Sequence, residues 1–172
     1  LVRRQLPVIT QRLQKTMEKL QRPMIETGRF VRPEVWWEQL QRTFEHPAVS
    51  FEVEDLDQAG PIPGDLFESA ADNLINNALE KRRGDASVTV RVKLECRDQV
   101  RFSVTDTGKP VRQDIARRLF QGPVPSDTGY GIALYQVFHQ AETHGYALRL
   151  AANDQGLVRF ELNPAPPAHA AV

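Results

Sequence analysis

One cysteine, Cys96, is all the thiol chemistry this chain carries. It cannot close an internal disulfide, which excludes a disulfide-stapled scaffold and fits a reducing compartment, with a cytoplasmic location as the expectation. Neither sign of charge is in excess. The 22 Lys and Arg balance the 22 Asp and Glu, so nothing in the charge points to nucleic acid or an anionic membrane surface as a partner. No apolar run approaches the roughly 18 residues that a membrane span needs. No signal peptide opens the chain, and no internal repeat divides it. The sequence starts at Leu1 rather than Met and reads as a piece of a longer protein. Its lack of a membrane segment therefore leaves open a parent at the cytoplasmic face of a membrane. What is present is 172 residues with 41% apolar content, enough for one cored domain and a short appendage.

Leu6, Ile9, Leu13, Met17 and Leu20 form one apolar seam at helical spacing. Two readings stand: a helix packed on its own domain, or the stub of a dimerisation helix. Pro23 breaks the pattern, and residues 23–31 read as a linker. Arg32-Pro33-Glu34 opens a short helix holding Val35, Trp36, Trp37 and Leu40. Val49, Phe51 and Val53 alternate with polar residues, as in a half-buried strand. A turn from Gly60 to Gly64 leads into a strong helix from Asp65 to about Arg83. Val88 to Leu94 and Val100 to Val104 alternate around a turn at Arg97-Asp98-Gln99, predicting a β-hairpin. A short helix is expected from Ile115 to Phe120, a loop from Gln121 to Gly131 and a helix from Ile132 to about Thr143. Strands are expected at Ala147 to Ala151 and Leu157 to Leu162, with a disordered tail beyond Asn163. The order predicts an α/β protein, a two-layer sandwich with helices on one face of a mixed sheet.

Three segments carry chemistry. In the long helix, Phe67, Ala71, Leu74 and Ala78 make the core face. Asn73 and Asn77 lie four apart on a neighbouring stripe, continued by Glu80 and Lys81, so both carboxamides point the same way. Asn is a mediocre helix former. A carboxamide oxygen suits Mg²⁺ that also holds substrate phosphates, and the alternative is two solvated asparagines. Asp65 and Glu68 have the spacing of a capping box, which is the preferred reading of Glu68 over a catalytic base. The second segment is Asp106-Thr107-Gly108 at a strand end. A carboxylate there can accept from an exocyclic amine such as adenine N6, and glycine permits close approach. The same tripeptide occurs in aspartic proteases, but a single copy would need a homodimer, and the helix-rich surroundings fit that all-β enzyme poorly. The third is Gly129-Tyr130-Gly131-Ile132-Ala133-Leu134, where a glycine loop opening a helix makes a phosphate seat or a hinge.

Taken in order, these segments resemble the GHKL ATP-binding fold, and most closely the catalytic domain of sensor histidine kinases. Asn73-Leu-Ile-Asn-Asn77-Ala78 is similar to that family's N box and Asp106-Thr-Gly108 to its G1 box. Leu119-Phe120 stands in the place of its F box, and Gly129-Tyr-Gly131-Ile-Ala-Leu134 is similar to its G2 box. The resemblance spans residues 32–163 and implies ATP and Mg²⁺ as cofactors. Asn77 would ligate Mg²⁺, with Asn73 beside metal and phosphates. Asp106 would read adenine N6, and Gly108 would admit the base. Gly129 and Gly131 would hold phosphates under a lid from Gln121 to Thr128, with Lys81, Tyr130 and Ile132 as further nucleotide contacts.

Asn73 stands where the ATP-hydrolysing relatives carry Glu. Hydrolysis needs a base to activate water, whereas a neutral imidazole is already nucleophilic. Asn73 therefore favours phosphoryl transfer to histidine, and counts as the catalytic candidate in that sense. The sequence departs from the family pattern at Glu80, Pro110, Ala133 and Leu157, and its lid is short. His46, His139, His144 and His169 lie outside any acceptor-helix context. The resemblance thus implies a catalytic fragment whose partners are its own dimerisation and phosphotransfer domain and, through a homodimeric parent, a response regulator. The alternative is a non-catalytic GHKL regulator of the anti-sigma type.

Overall fold

The computed structural model describes residues 29–122 and 130–167. The seam from Leu6 to Leu20, the linker up to Gly28, most of the expected lid with Gly129, and residues 168–172 lie outside that description.

The first described element is a two-residue strand, β1 (Phe30–Val31), which pairs antiparallel with β3 (Ile62–Pro63). Helix α1 (Pro33–Thr43) lies between them in sequence, with Pro33 in its first turn. A proline there removes an N–H that would have no helical partner anyway. The buried residues of α1 are Pro33, Trp36, Trp37 and Leu40, the stripe expected of an amphipathic helix. Strand β2 (Val49–Glu54) follows a turn in which His46 Nδ1 accepts from the Ala48 N–H at 3.0 Å.

The long helix α2 (Gly64–Glu80) starts one residue earlier than expected and continues as a 3-10 turn over Lys81–Arg83. The expected capping box is absent. The N-cap is Pro63, with no side-chain cap, and the Gly64 N–H donates instead to the Arg29 carbonyl at 2.9 Å. The β1–β3 pair brings that carbonyl into place, so the backbone meets the helix's first donor. Asp65 sits in the first turn, where its charge complements the helix dipole. A Cβ on Gly64 would lie 3.0 Å from both the Arg29 carbonyl and Val31, so this approach needs glycine.

The hairpin is formed by β4 (Val90–Glu95) and β5 (Arg101–Asp106). Helix α3 is shorter than expected, Gln113–Ala116, and turns carry the chain on to Gln121. Helix α4 (Tyr130–Thr143) takes in Tyr130 and Gly131, two residues read as loop from the sequence. Strands β6 (Tyr146–Asp154) and β7 (Leu157–Pro164) close the fold. They run longer than expected. Pro164 belongs to β7 and the Ala165 N–H donates to the Gly145 carbonyl at 2.8 Å, so the tail does not begin at Asn163.

The main sheet has the order β2-β4-β5-β7-β6, with β2 parallel to β4 and every other pair antiparallel. Registers align apolar side chains in rows across it. One row is Phe51–Val92–Val104–Phe160–Leu150, and another is Val53–Leu94–Phe102–Leu162–Leu148. Alternation puts these rows on one face, against the helices. Trp36 meets Phe67 and Phe102 edge-on, and Phe67 meets Tyr146 in the same way, so α1, α2 and the sheet share one aromatic core. The other face carries cross-strand ion pairs: Arg91 with Glu52, Lys93 with Glu54, and Arg149 with Glu161. This is the predicted two-layer α/β sandwich.

Candidate functional site

A third row of the sheet runs Val49–Val90–Asp106–Val158. It contains a carboxylate in an otherwise apolar sequence. Asp106, at the end of β5, is 4% exposed and is the one buried charged residue among the described residues. A carboxylate in that position needs a counter-charge and donors. Both are supplied. The Lys81 ammonium, from the 3-10 turn that ends α2, reaches the two carboxylate oxygens at 2.9 and 2.8 Å. The Gly108 N–H donates to Oδ1 at 2.8 Å.

The segment after Asp106 is fixed on two sides. The Thr107 N–H donates to the Thr89 carbonyl, and the Gly156 N–H, in the β6–β7 turn, donates to the Gly108 carbonyl at 3.1 Å. Asn153 clamps Val111 by both carboxamide atoms, accepting from its N–H at 2.7 Å and donating to its carbonyl at 2.8 Å. Asn153 was not legible as a site residue. Its partner lies 42 residues away, and no local pattern marks it.

Gly108 is the crowded point. A Cβ there would stand 2.7 Å from Lys81 Cδ and 2.9 Å from Asp106 Oδ1. The space left by the missing side chain is thus lined by the lysine stem as well as by the carboxylate.

On α2, Asn73 and Asn77 lie one turn apart, as expected, and are both half-buried. Asn73 donates through Nδ2 to the Ser69 carbonyl at 2.7 Å, which ties its carboxamide back along its own helix. The Asn77 oxygen is different. Oδ1 is buried and has no hydrogen-bond partner, the one such side-chain atom among the described residues. A buried, unpaired carbonyl oxygen is costly, and an absent ligand is a standard cause. A hard neutral oxygen donor suits Mg²⁺. Among the described residues, no group of three or more His, Cys, Asp and Glu could hold a metal ion. A cation held here would thus draw its remaining ligands from water and a bound phosphate, as Mg²⁺ commonly does. Asn77 fits that group.

Glu80 pairs with Arg83 at 2.7 Å. Glu68 is exposed on α2. Tyr130, Gly131 and Ile132 form the first turn of α4, with Gly131 buried and Ile132 49% exposed. Leu119 is buried, and Phe120 stacks on Phe138 of α4 with ring centroids 5.0 Å apart. The structure therefore brings Lys81, Asp106 and Gly108 into direct contact and sets Asn73 and Asn77 earlier along the helix that supplies Lys81. Leu157 is exposed. The engagement of Asp106 with Lys81, within a sheet covered by helices, leaves no room for the protease reading.

The sequence profile described as "Histidine kinase-, DNA gyrase B-, and HSP90-like ATPase" matches residues 64–167. No curated protein matches the sequence. Among solved structures, the chain is similar to the catalytic domain of the histidine kinase ThkA in a nucleotide-free form. The TM-score is 0.62 at 19% identity, over 81% of this chain and 99% of that one. It is also similar to the Acinetobacter baumannii histidine kinase AdeS, with a TM-score of 0.59 at 16% identity, over 92% of this chain and 76% of that one. At these identities the likeness is one of fold. The profile covers α2, the hairpin, α4 and the closing strands, which are the elements that carry the asparagine pair, Asp106 and the glycine segment. The chain belongs to the histidine kinase-, DNA gyrase B- and HSP90-like ATPase family and has the fold of a sensor histidine kinase ATP-binding domain.

Proposed function

We propose that this domain binds Mg²⁺–ATP and presents its γ-phosphate to a histidine on a dimerisation segment of its parent. The observation that carries the reading is the buried, partnerless Oδ1 of Asn77. Mg²⁺ bound there would neutralise phosphate charge and orient the triphosphate. The rest falls to the chain's own residues. Asp106 offers a carboxylate to the exocyclic amine of adenine, and Gly108 leaves the base room beside it. The N-terminal end of α4, at Tyr130, Gly131 and Ile132, would lend its positive helix end to the phosphates.

In the transfer itself, an imidazole nitrogen attacks the γ-phosphorus. The bond to the β,γ-bridging oxygen breaks, ADP leaves, and the imidazole proton goes to solvent. Asn73 cannot act as a base at neutral pH. That suits a nucleophile that needs no deprotonation and suits hydrolysis poorly.

The same reading makes the upstream dimerisation domain the immediate partner, a response regulator the next acceptor, and a homodimeric cytoplasmic or membrane-associated kinase the parent. Incubating the parent protein with ATP labelled in the γ-phosphate tests it. Label should appear on histidine and disappear in Asn77→Ala. A parent that binds nucleotide and never labels would overturn the kinase reading. The second reading, a regulatory nucleotide-binding module, would then stand. It draws on the occupation of Asp106 by Lys81.

A further inference from the structure

Asp106 already has a partner that mimics what it would recognise. An exocyclic amine offers N–H donors to a carboxylate, and so does the Lys81 ammonium, at 2.9 and 2.8 Å and with a full positive charge. The lysine also fills the approach. Its Cδ lies 2.7 Å from where a Gly108 Cβ would stand, closer than the thickness of a base allows. We infer that Lys81 competes with the purine for Asp106 and sets how strongly, and how selectively, the site takes a 6-aminopurine. This inference rests on the proposal that Asp106 and Gly108 receive the base.

Two states follow from the chemistry. With Lys81 on Asp106, the carboxylate is spent internally, and the site faces a ligand with an ammonium N–H rather than an acceptor. A 6-amino group then gains little over a 6-oxo group, because the donor it would bring has no acceptor to meet. With Lys81 displaced, the carboxylate accepts from a 6-amino group and repels a 6-oxo group. Lys81 can make that move. Its side chain is 24% exposed, it stands in a short 3-10 turn, and its stem has four rotatable bonds that let the charge reach water. The Gly108 N–H donates to Asp106 independently of the lysine, so displacing Lys81 need not remove that bond. Asp106 is therefore a conditional reader of the base, and Lys81 holds the condition.

The test is a titration of the chain and of Lys81→Met with non-hydrolysable analogues of ATP and of inosine triphosphate. Methionine keeps much of the stem and removes the charge. The expected result is weak ATP binding with little preference over the inosine nucleotide in the unsubstituted protein. Lys81→Met should bind ATP about tenfold more tightly and prefer it over the inosine analogue about tenfold. A lysine with a purely structural role would not move the amino-versus-oxo preference. If the unsubstituted protein binds ATP and Lys81→Met binds it equally or less well with the same preference, the competition is refuted while the nucleotide site stands. If neither protein binds either nucleotide at millimolar concentration, the nucleotide reading itself falls. Should Lys81→Met fail to fold, Lys81→Gln removes the same charge and keeps an N–H donor for Asp106. Its ATP affinity should then rise by a few-fold, and an unchanged or lower affinity refutes the competition.

Discussion

Replacing Asn77 by leucine should make the free protein more stable and the nucleotide site useless. Oδ1 of Asn77 is buried with no donor in reach. A carbonyl oxygen in that position has lost its water and gained nothing, which costs roughly 1–3 kcal/mol. Leucine is similar in size, carries no polar atom, and adds a few tenths of a kcal/mol in helix propensity at a position inside α2. The sum is a stabilisation of about 1–3 kcal/mol, or roughly 3–10 °C in Tm for a domain of this size. The assay is thermal unfolding in the absence of nucleotide, followed by an ATP-analogue titration with and without Mg²⁺. The variant should melt higher and lose the Mg²⁺ dependence of binding. A lower melting temperature would show that Asn77 serves the fold, and retained Mg²⁺ dependence would show that another group holds the cation. Either result would remove Asn77 Oδ1 as the cation ligand.

Phe67 is fully buried and meets Trp36 and Tyr146 edge-on, so Phe67→Ala should lower stability by about 3–5 kcal/mol in urea titration; a loss under about 1.5 kcal/mol would mean the core collapses around the gap. Ile132→Ala, at an exposed position, should change stability by less than about 0.5 kcal/mol in the same assay. Burial, reinforced by the nearby Glu34 and Asp55 charges, pushes the Cys96 thiol from its ordinary 9.0 up to about 11. The folded state therefore keeps its proton where the unfolded chain loses it. The thiol's contribution is intact below pH 9 and erodes as pH rises from about 9 to about 11, and a thiol reagent at pH 8 should label only unfolded protein. Asn153→Ala breaks two hydrogen bonds to Val111 and should cost about 1–2 kcal/mol, with weaker nucleotide binding as the turn after Gly108 loosens; unchanged affinity would confine Asn153 to the fold.

Most of the sheet was legible because it has one wet face. Val90, Val92 and Leu94 are buried while Arg91, Lys93 and Glu95 are not, so the period of two survives in the sequence. The core stripe of α2 was legible for the same reason at the helical period. The two-residue strands Phe30–Val31 and Ile62–Pro63 were not, since two residues carry no period. The helix start depends on them too, because their pairing delivers the Arg29 carbonyl to Gly64. The local sequence Asp65–Glu68 looked like a cap, and tertiary structure supplied a different one. Within the site, Asn73, Asn77, Asp106 and Gly108 stand out by residue type and spacing. The Lys81–Asp106 contact spans 25 residues and depends on where the end of a helix meets the end of a strand. No pattern of neighbours encodes that distance.

A domain that holds a Mg²⁺-nucleotide between Asn77 and Asp106 should show it in solution. Isothermal titration of the chain with a non-hydrolysable ATP analogue, with Mg²⁺ and then with a chelator, tests it most directly. Saturable binding that weakens at least several-fold on chelation is expected, and in the Lys81→Met protein, whose Asp106 is free of the ammonium, adding Asp106→Asn should weaken it further. No binding at millimolar analogue, or binding indifferent to Mg²⁺ in the unsubstituted protein and to Asp106 in Lys81→Met, would overturn the Mg²⁺–nucleotide reading.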